Sequence, residues 1–195
     1  MRNAEIKRKT KETDITLELE LDGSGKSQID TGVGYLDHML TLCASQGRFD
    51  LKVKCVGDTD VDDHHSVEDI GICLGLAIDK ILGNKAGICR YGSCILPMDE
   101  ALILSAIDFS GRDMLCYSLD IPTEKVGEFD TELIEEFFLG FVRNCKCTLH
   151  LRKIAGDNSH HVIEGAFKSV ARTIAQAVKI DPELDGAIPS TKGSL

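Results

Sequence analysis

The sequence predicts an α+β fold built from two copies of one unit, each an antiparallel sheet with its helices on one face, joined about a pseudo-twofold axis. Three observations predict it. The pattern His-His-x-x-Glu occurs twice, in "DDHHSVEDIG" (62–71) and "NSHHVIEGAF" (158–167), almost half the chain apart. Behind each copy runs an apolar stretch of helical period, "IGICLGLAIDKIL" and "GAFKSVARTIAQAV". Ahead of each lies an alternating segment that reads as a strand ending in a Gly-Asp loop, "FDLKVKCVGD" (49–58) and "CTLHLRKIAGD" (147–157).

The elements follow in the same order in both halves. "TLELELDGSG" and "LILSAIDFSGR" alternate as strands and end in Asp-x-Ser-Gly, a turn signal. "YLDHMLTLCASQG" and "TELIEEFFLGFVRN" come next and have helical spacing. Then come the strand, the Gly-Asp loop and the helix that opens on the paired histidines. Each half reads as strand, strand, helix, strand, helix. The repeats are assigned to residues 1–90 and 91–184, packed as one compact domain. The tail from 185 to 195, "DGAIPSTKGSL", has no periodicity and reads as a loop or mobile segment.

Composition sets the bounds on function. A chain of 195 residues with 43% hydrophobic content buries a real core. A net charge of −10 argues against nucleic acid or an anionic membrane as partner, since both call for clustered Lys and Arg. No apolar run approaches the roughly 20 residues of a membrane span, and "MRNAEIKRKTKETDI" lacks the apolar stretch of a signal peptide, so a cytoplasmic location is expected. The eight cysteines contain no C-x-x-C pair and read as reduced, mostly buried apolar residues. Cys145 and Cys147, two apart, are expected on one face of a strand.

Residues three and four apart share a helix face, which sets Glu68 beside His64 and His65, and Glu164 beside His160 and His161. Imidazole nitrogen with carboxylate oxygen suits Mn, Fe, Zn or Ni. Adjacent histidines diverge by about 100° on a helix and so serve two different ions more naturally than one. A single such pair at a helix start is most often a solvent-facing cap region. Duplication of structure alone would not preserve exposed histidines, whereas two half-sites facing each other would. The preceding helices offer His38 and Glu136 at corresponding places, although Glu135 beside Glu136 leaves open which of the two acids faces solvent. His150 alternates within a strand and is read as a partly buried neutral side chain, not a ligand. A dinuclear phosphoesterase would lean on bridging aspartates, and neither motif has one obviously placed. A metal-storing shell would need a carboxylate-rich helical bundle, which this alternation of strands and helices does not give.

The ordered set "TGVGYLDHML", "GDTDVDDHHSVEDIGICLG", "GICRYGS", "PMDEAL", "DFSGR", "NSHHVIEGAFKSVARTIAQA" and "PSTKG" resembles the imidazoleglycerol-phosphate dehydratase family over nearly the whole chain. The resemblance implies two four-stranded, two-helix units of ribosomal S5 domain 2-like fold. It implies a hydro-lyase of histidine biosynthesis that converts D-erythro-imidazoleglycerol phosphate to imidazole-acetol phosphate. It further implies two Mn(II) ions per active site and a 24-subunit homo-oligomer with sites where subunits meet. The positions that match the family's ligands are His38, His64, His65, Glu68, Glu136, His160, His161 and Glu164, and Glu136 departs from a histidine expected in many members.

By the same resemblance, Arg90, Arg112, Lys168, Ser190, Thr191 and Lys192 match phosphate contacts, and Glu12 matches a residue that reaches substrate from a neighbouring subunit. Leu42 stands where some members carry a polar Gln near the phosphate. The chemistry is expected to run through the ring bound as imidazolate, which pushes electrons outward and expels the hydroxyl. A diazafulvene results, and it loses a proton to give an enol and then the ketone. Glu164 is the first candidate for proton transfer and Glu68, its repeat partner, the second.

Overall fold

The computed structural model describes residues 2–195. The first half contains β1 (Asn3–Lys9), β2 (Thr13–Glu20), β3 (Ser27–Asp30), α1 (Gly34–Gly47), β4 (Asp50–Gly57) and α2 (His64–Leu82). The second repeats that order as β5 (Tyr91–Met98), β6 (Ala101–Asp108), β7 (Met114–Ser118), α3 (Leu133–Cys145), β10 (Thr148–Ala155) and α4 (Ser159–Ala177). It inserts one small hairpin, β8 (Lys125–Val126) with β9 (Phe129–Asp130), ahead of α3. The sheet orders are β1-β2-β4-β3 and β5-β6-β10-β7, which is the duplication in its plainest form.

Two expectations need correction. Each half has three strands before its first helix, not two. The sheets are also mixed, because β3 runs parallel to β4 and β7 parallel to β10. A strand that returns through a helix comes back in the same direction, so the β3-α1-β4 and β7-α3-β10 connections impose the parallel pairs. The two first helices end alike, Arg48 and Lys146 both taking left-handed φ of 58° and 52° as C-caps.

Alternation puts Ile15, Leu17, Leu19, Leu51, Val53 and Cys55 on the inner face of the first sheet, and Ile103, Ile107, Leu149 and Leu151 on that of the second. The helices lie against these faces, with α2 running along α3 and α1 along α4. Phe137, Phe138 and Phe167 join α3 to α4, with ring centroids 5.1–5.3 Å apart, so the halves share one core. The α2–α3 approach needs glycine. A Cβ at Gly71 would lie 2.3 Å from the Phe137 carbonyl oxygen, and one at Gly75 2.4 Å from that of Phe141.

Gly71→Ala tests that approach. An alanine gains about 1 kcal/mol of helix propensity, but a backbone carbonyl cannot swing aside as a side-chain tip can. We expect a net loss of about 1–3 kcal/mol, read as a lowered denaturant midpoint. An unchanged or raised midpoint would show that the helices separate without cost.

The remaining sequence expectations fall on this frame. All eight cysteines are free thiols, five of them buried. Cys145 and Cys147 do not share a strand, since Cys145 ends α3 and Cys147 precedes β10. Both are fully buried, their sulfurs 3.1 Å apart. His150 is exposed on the outer face of β10, because Leu149 and Leu151 take the inner face. Among the described residues, no helix is long and apolar enough to cross a membrane.

Candidate metal centre

Packing of α1 along α4 brings His38 to the first turn of α4, where the i,i+4 spacing sets His160 and Glu164 on one face. His160 Nε2 lies 3.2 Å and His38 Nε2 3.5 Å from the same Glu164 carboxylate oxygen. Three candidate ligand atoms from these residues all lie within 4.8 Å of one another. Two bonds of about 2.0–2.2 Å from a single ion set their donor atoms no more than about 4.4 Å apart, and the 3.2 and 3.5 Å separations from Glu164 fall inside that reach. The donor set and its spread therefore fit a divalent transition metal.

Glu164 is only 7% exposed. Burial pushes its carboxyl up, but the Lys168 ammonium at 2.5 Å and His160 together outweigh that and leave it below the usual carboxylate range. It is thus held as an anion. Tyr35 sets its ring edge-on to His160 at 5.4 Å, and its buried hydroxyl has no hydrogen-bond partner among the described residues. Burial also raises that phenol, which keeps it a neutral donor at the edge of the cluster.

The repeat-related position, at the start of α2, is built differently. His64 Nε2 stands 3.9 Å from Glu68, too far for a hydrogen bond. Gly140 of α3 lies against the Glu68 carbonyl, and Glu136 stands one turn earlier on α3, toward the end of that helix that runs beside the start of α2. Glu136 is half-buried, whereas Glu135 is exposed, which separates the two neighbours that the sequence left open. Among the described residues, His38, His160 and Glu164 form the only group of three ligands. His64, His65, Glu68, Glu136 and His161 do not join a group of three within this chain.

The second histidine of each pair turns away from the first. The His64 and His65 rings are 6.0 Å apart at 79°, and those of His160 and His161 6.4 Å apart at 85°. Each outward ring has Nδ1 against a carboxylate, His65 at 3.0 Å from Asp58 and His161 at 2.7 Å from Glu100. Those bonds raise the pKa of both imidazoles. Glu100 also accepts the Asn158 backbone N–H, and with His161 this holds its carboxyl at about 2. Glu12 stands 3.9 Å from His65 Nε2, on the side away from Asp58.

A separate cavity of about 930 Å³ is lined by Arg90, Arg112, Ser190, Thr191 and Lys192. Its floor is built by the tail, which is irregular as expected. After a 3₁₀ turn (Pro182–Leu184) the Gly87 N–H donates to the Ala187 carbonyl, and Arg90 Nη1 donates to Pro189 at 2.9 Å. Arg90 is aimed by Asp108, which accepts from Nε at 2.7 Å and Nη2 at 3.2 Å, while Arg112 remains largely exposed. Lys168 lies elsewhere, on α4 beside Glu164 and Met98. Leu42 packs on the core and offers no polar contact.

Sequence reasoning missed Tyr35, Asp58 and Glu100. Tyr35 sits inside the quoted "GYLDHM" but carried no charge to draw the eye. Glu100 had a detectable signal, since it stands immediately before β6 as Glu12 stands immediately before β2.

Comparison with known proteins comes down on one family. A family profile described as imidazoleglycerol-phosphate dehydratase matches residues 31–174. Curated relatives of that name include the protein of Desulforamulus reducens, 57% identical over 194 residues that span 100% of this chain and 98% of the relative. That of Jannaschia sp. is 53% identical over 195 residues, covering 100% of both. The crystal structure of the Staphylococcus aureus imidazoleglycerol-phosphate dehydratase superposes with a TM-score of 0.84 at 38% identity, covering 92% of this chain and 99% of that one. The Pyrococcus furiosus enzyme in complex with (S)-C348 gives 0.84 at 35% identity, covering 97% of this chain and 100% of the other.

Proposed function

Because this chain belongs to the imidazoleglycerol-phosphate dehydratase family, a hydro-lyase family of histidine biosynthesis, we propose that it is a cytoplasmic enzyme that converts D-erythro-imidazoleglycerol phosphate to imidazole-acetol phosphate using two Mn(II) ions per active site. The observation that carries the metal reading is the convergence of His38, His160 and Glu164. These three hold one ion. His64 and Glu68, with Glu136 on the neighbouring helix, begin the second, and a carboxylate at 136 suits Mn(II) as a hard oxygen donor. His65 and His161 point outward and complete sites shared with neighbouring subunits, which gives the protein a reason to assemble as a homo-oligomer, a 24-mer by family resemblance. Exposed apolar side chains on the strands, Val56, Ile95 and Met114, offer surface for that assembly.

An ion held there would supply Lewis acidity toward the substrate's imidazole ring and so ease loss of the hydroxyl. The chain's own groups do the rest. Arg90, held by Asp108, brings its guanidinium charge to the phosphate, and Arg112, Ser190, Thr191 and Lys192 complete the cavity around it. Lys168, which by family resemblance also contacts the phosphate, is bonded to Glu164 within this chain and would be freed from it if that carboxylate held an ion. Glu164 moves the proton from the carbon next to the ring, with Glu68 as the alternative, and Glu12 reaches the substrate from a neighbouring subunit.

Turnover tests the reading directly. Incubation with imidazoleglycerol phosphate and Mn(II) should yield a ketone, and release of inorganic phosphate in its place would point to a phosphoesterase. Chelation should abolish turnover and weaken the particle, because ligands from both repeats and from neighbouring chains are then no longer tied through an ion. Sedimentation of the chelated protein checks this. A particle that persists without metal would show that the ions do not hold it together.

A further inference from the structure

We propose that Asp58 and Glu100 are positioning residues that hold Nδ1 of His65 and His161 and so present Nε2 of each as an outward-facing metal ligand. The inference rests on the metal reading above and adds to it a cause for the orientation of the two histidines that leave the three-ligand cluster. A histidine that binds metal through one ring nitrogen ordinarily gives its other N–H to a carboxylate or carbonyl, which fixes the tautomer and raises the ring's basicity. Both outward rings have such a partner on the Nδ1 side. Asp58 brackets His65 Nδ1 with oxygens at 3.0 and 3.1 Å, and Glu100 meets His161 Nδ1 at 2.7 Å. Among the described residues, the inward histidines do not. His160 turns Nε2 to Glu164 itself, and His64 makes only the long approach to Glu68.

The two orienting acids come from different places, and the repeat explains why. Glu100 closes the β5–β6 turn directly before β6, and the corresponding place before β2 is Glu12. In the second half that acid is bound to its histidine. Its other oxygen accepts the Asn158 N–H at 3.0 Å, and the Asn158 side chain in turn caps the His161 N–H at 3.2 Å. In the first half the loop after β4 is longer and presents Asp58 instead. The Asp58 N–H donates to the Glu12 carbonyl at 3.1 Å, which ties the same two turns together while the Glu12 carboxylate stands 3.9 Å from Nε2. One duplicated position thus has two roles. Glu100 orients a ligand, and Glu12, relieved of that task by Asp58, is free for another partner. The exposed Asp99 approaches the opposite nitrogen, Nε2 of His161, at 3.7 Å, beyond hydrogen-bond reach, and leaves Nδ1 to Glu100.

The test is titration of Mn(II) into the assembled protein and its variants. Asp58→Asn and Glu100→Gln should each lower affinity by about 10- to 100-fold, the range for loss of such a partner. Glu12→Gln should bind Mn(II) as the wild type does. Glu100→Gln keeps an acceptor for the Asn158 N–H, so the thermal midpoint of the chelated variant should not move. Added to His161→Ala, Glu100→Gln should weaken binding no further, because a positioning residue acts only through its histidine. Wild-type affinity in Glu100→Gln and Asp58→Asn, an equal further loss in the His161→Ala background, or equal weakening by Glu12→Gln would each overturn the proposal. A wild-type protein that binds no Mn(II) would sink the metal reading itself, a different result from variants that bind as well as wild type does.

Discussion

Replacing Glu164 by Gln lowers turnover by on the order of 10²-fold or more, the usual scale for a lost general base. The substitution keeps the size of the side chain and one acceptor oxygen. It removes the charge that Lys168 and His160 hold in place at a site only 7% exposed. Glu164 is at once the shared neighbour of His38 and His160 and the candidate that moves the proton, so metal content must be measured beside turnover. We expect saturating Mn(II) to refill the variant and leave turnover low. Full recovery with excess Mn(II) would reduce Glu164 to a ligand, and Glu68 or Glu12 would then inherit the proton. His161→Ala should behave differently, losing metal and activity together, because no neighbouring side chain replaces that imidazole.

The duplication was legible because the motif, the helix behind it and the strand ahead of it recur in order, and each carries its own periodicity. What stayed hidden was short or directional. β3 has four residues and β7 five, too few for alternation to speak, and the β8–β9 hairpin is built from pairs. Alternation shows which residues share a face but not which way the partner strand runs, so the parallel edges could not be read. The same ambiguity misplaced His150, whose face was fixed only when Leu149 and Leu151 went inward.

The site was legible unevenly. His160 and Glu164 followed from helical spacing, and His38 from its place in the corresponding earlier helix. The roles of Arg90, Arg112 and the tail rested on resemblance alone, since an exposed Arg or Lys is ordinary. Asp58 and Glu100 look in sequence like solvated loop acids. Only the fold, by carrying two turns to the same end of each sheet, shows that they face imidazoles.

Ending the chain after Ile188 raises KM by on the order of 10²-fold or more while metal content and particle size stay as they are. The cut removes Ser190, Thr191 and Lys192 from the cavity they share with Arg90 and Arg112, and it deletes the Pro189 carbonyl that accepts from Arg90 Nη1. Charge-assisted hydrogen bonds contribute about 1.5–3 kcal/mol each, so two lost phosphate contacts suffice for that effect. The Asp108 pairing keeps Arg90 pointed at the cavity, which leaves a weakened phosphate site and not an absent one. The candidate ligands His38, His160 and Glu164 lie on α1 and α4, outside the deleted segment, so metal content should be retained. Inorganic phosphate offers a second reading of the same site, since its inhibition constant should rise in the truncated enzyme along with KM. If KM and phosphate inhibition both match the intact protein, the tail takes no part in binding substrate. If turnover falls without a change in either, the tail acts on chemistry and not on the phosphate.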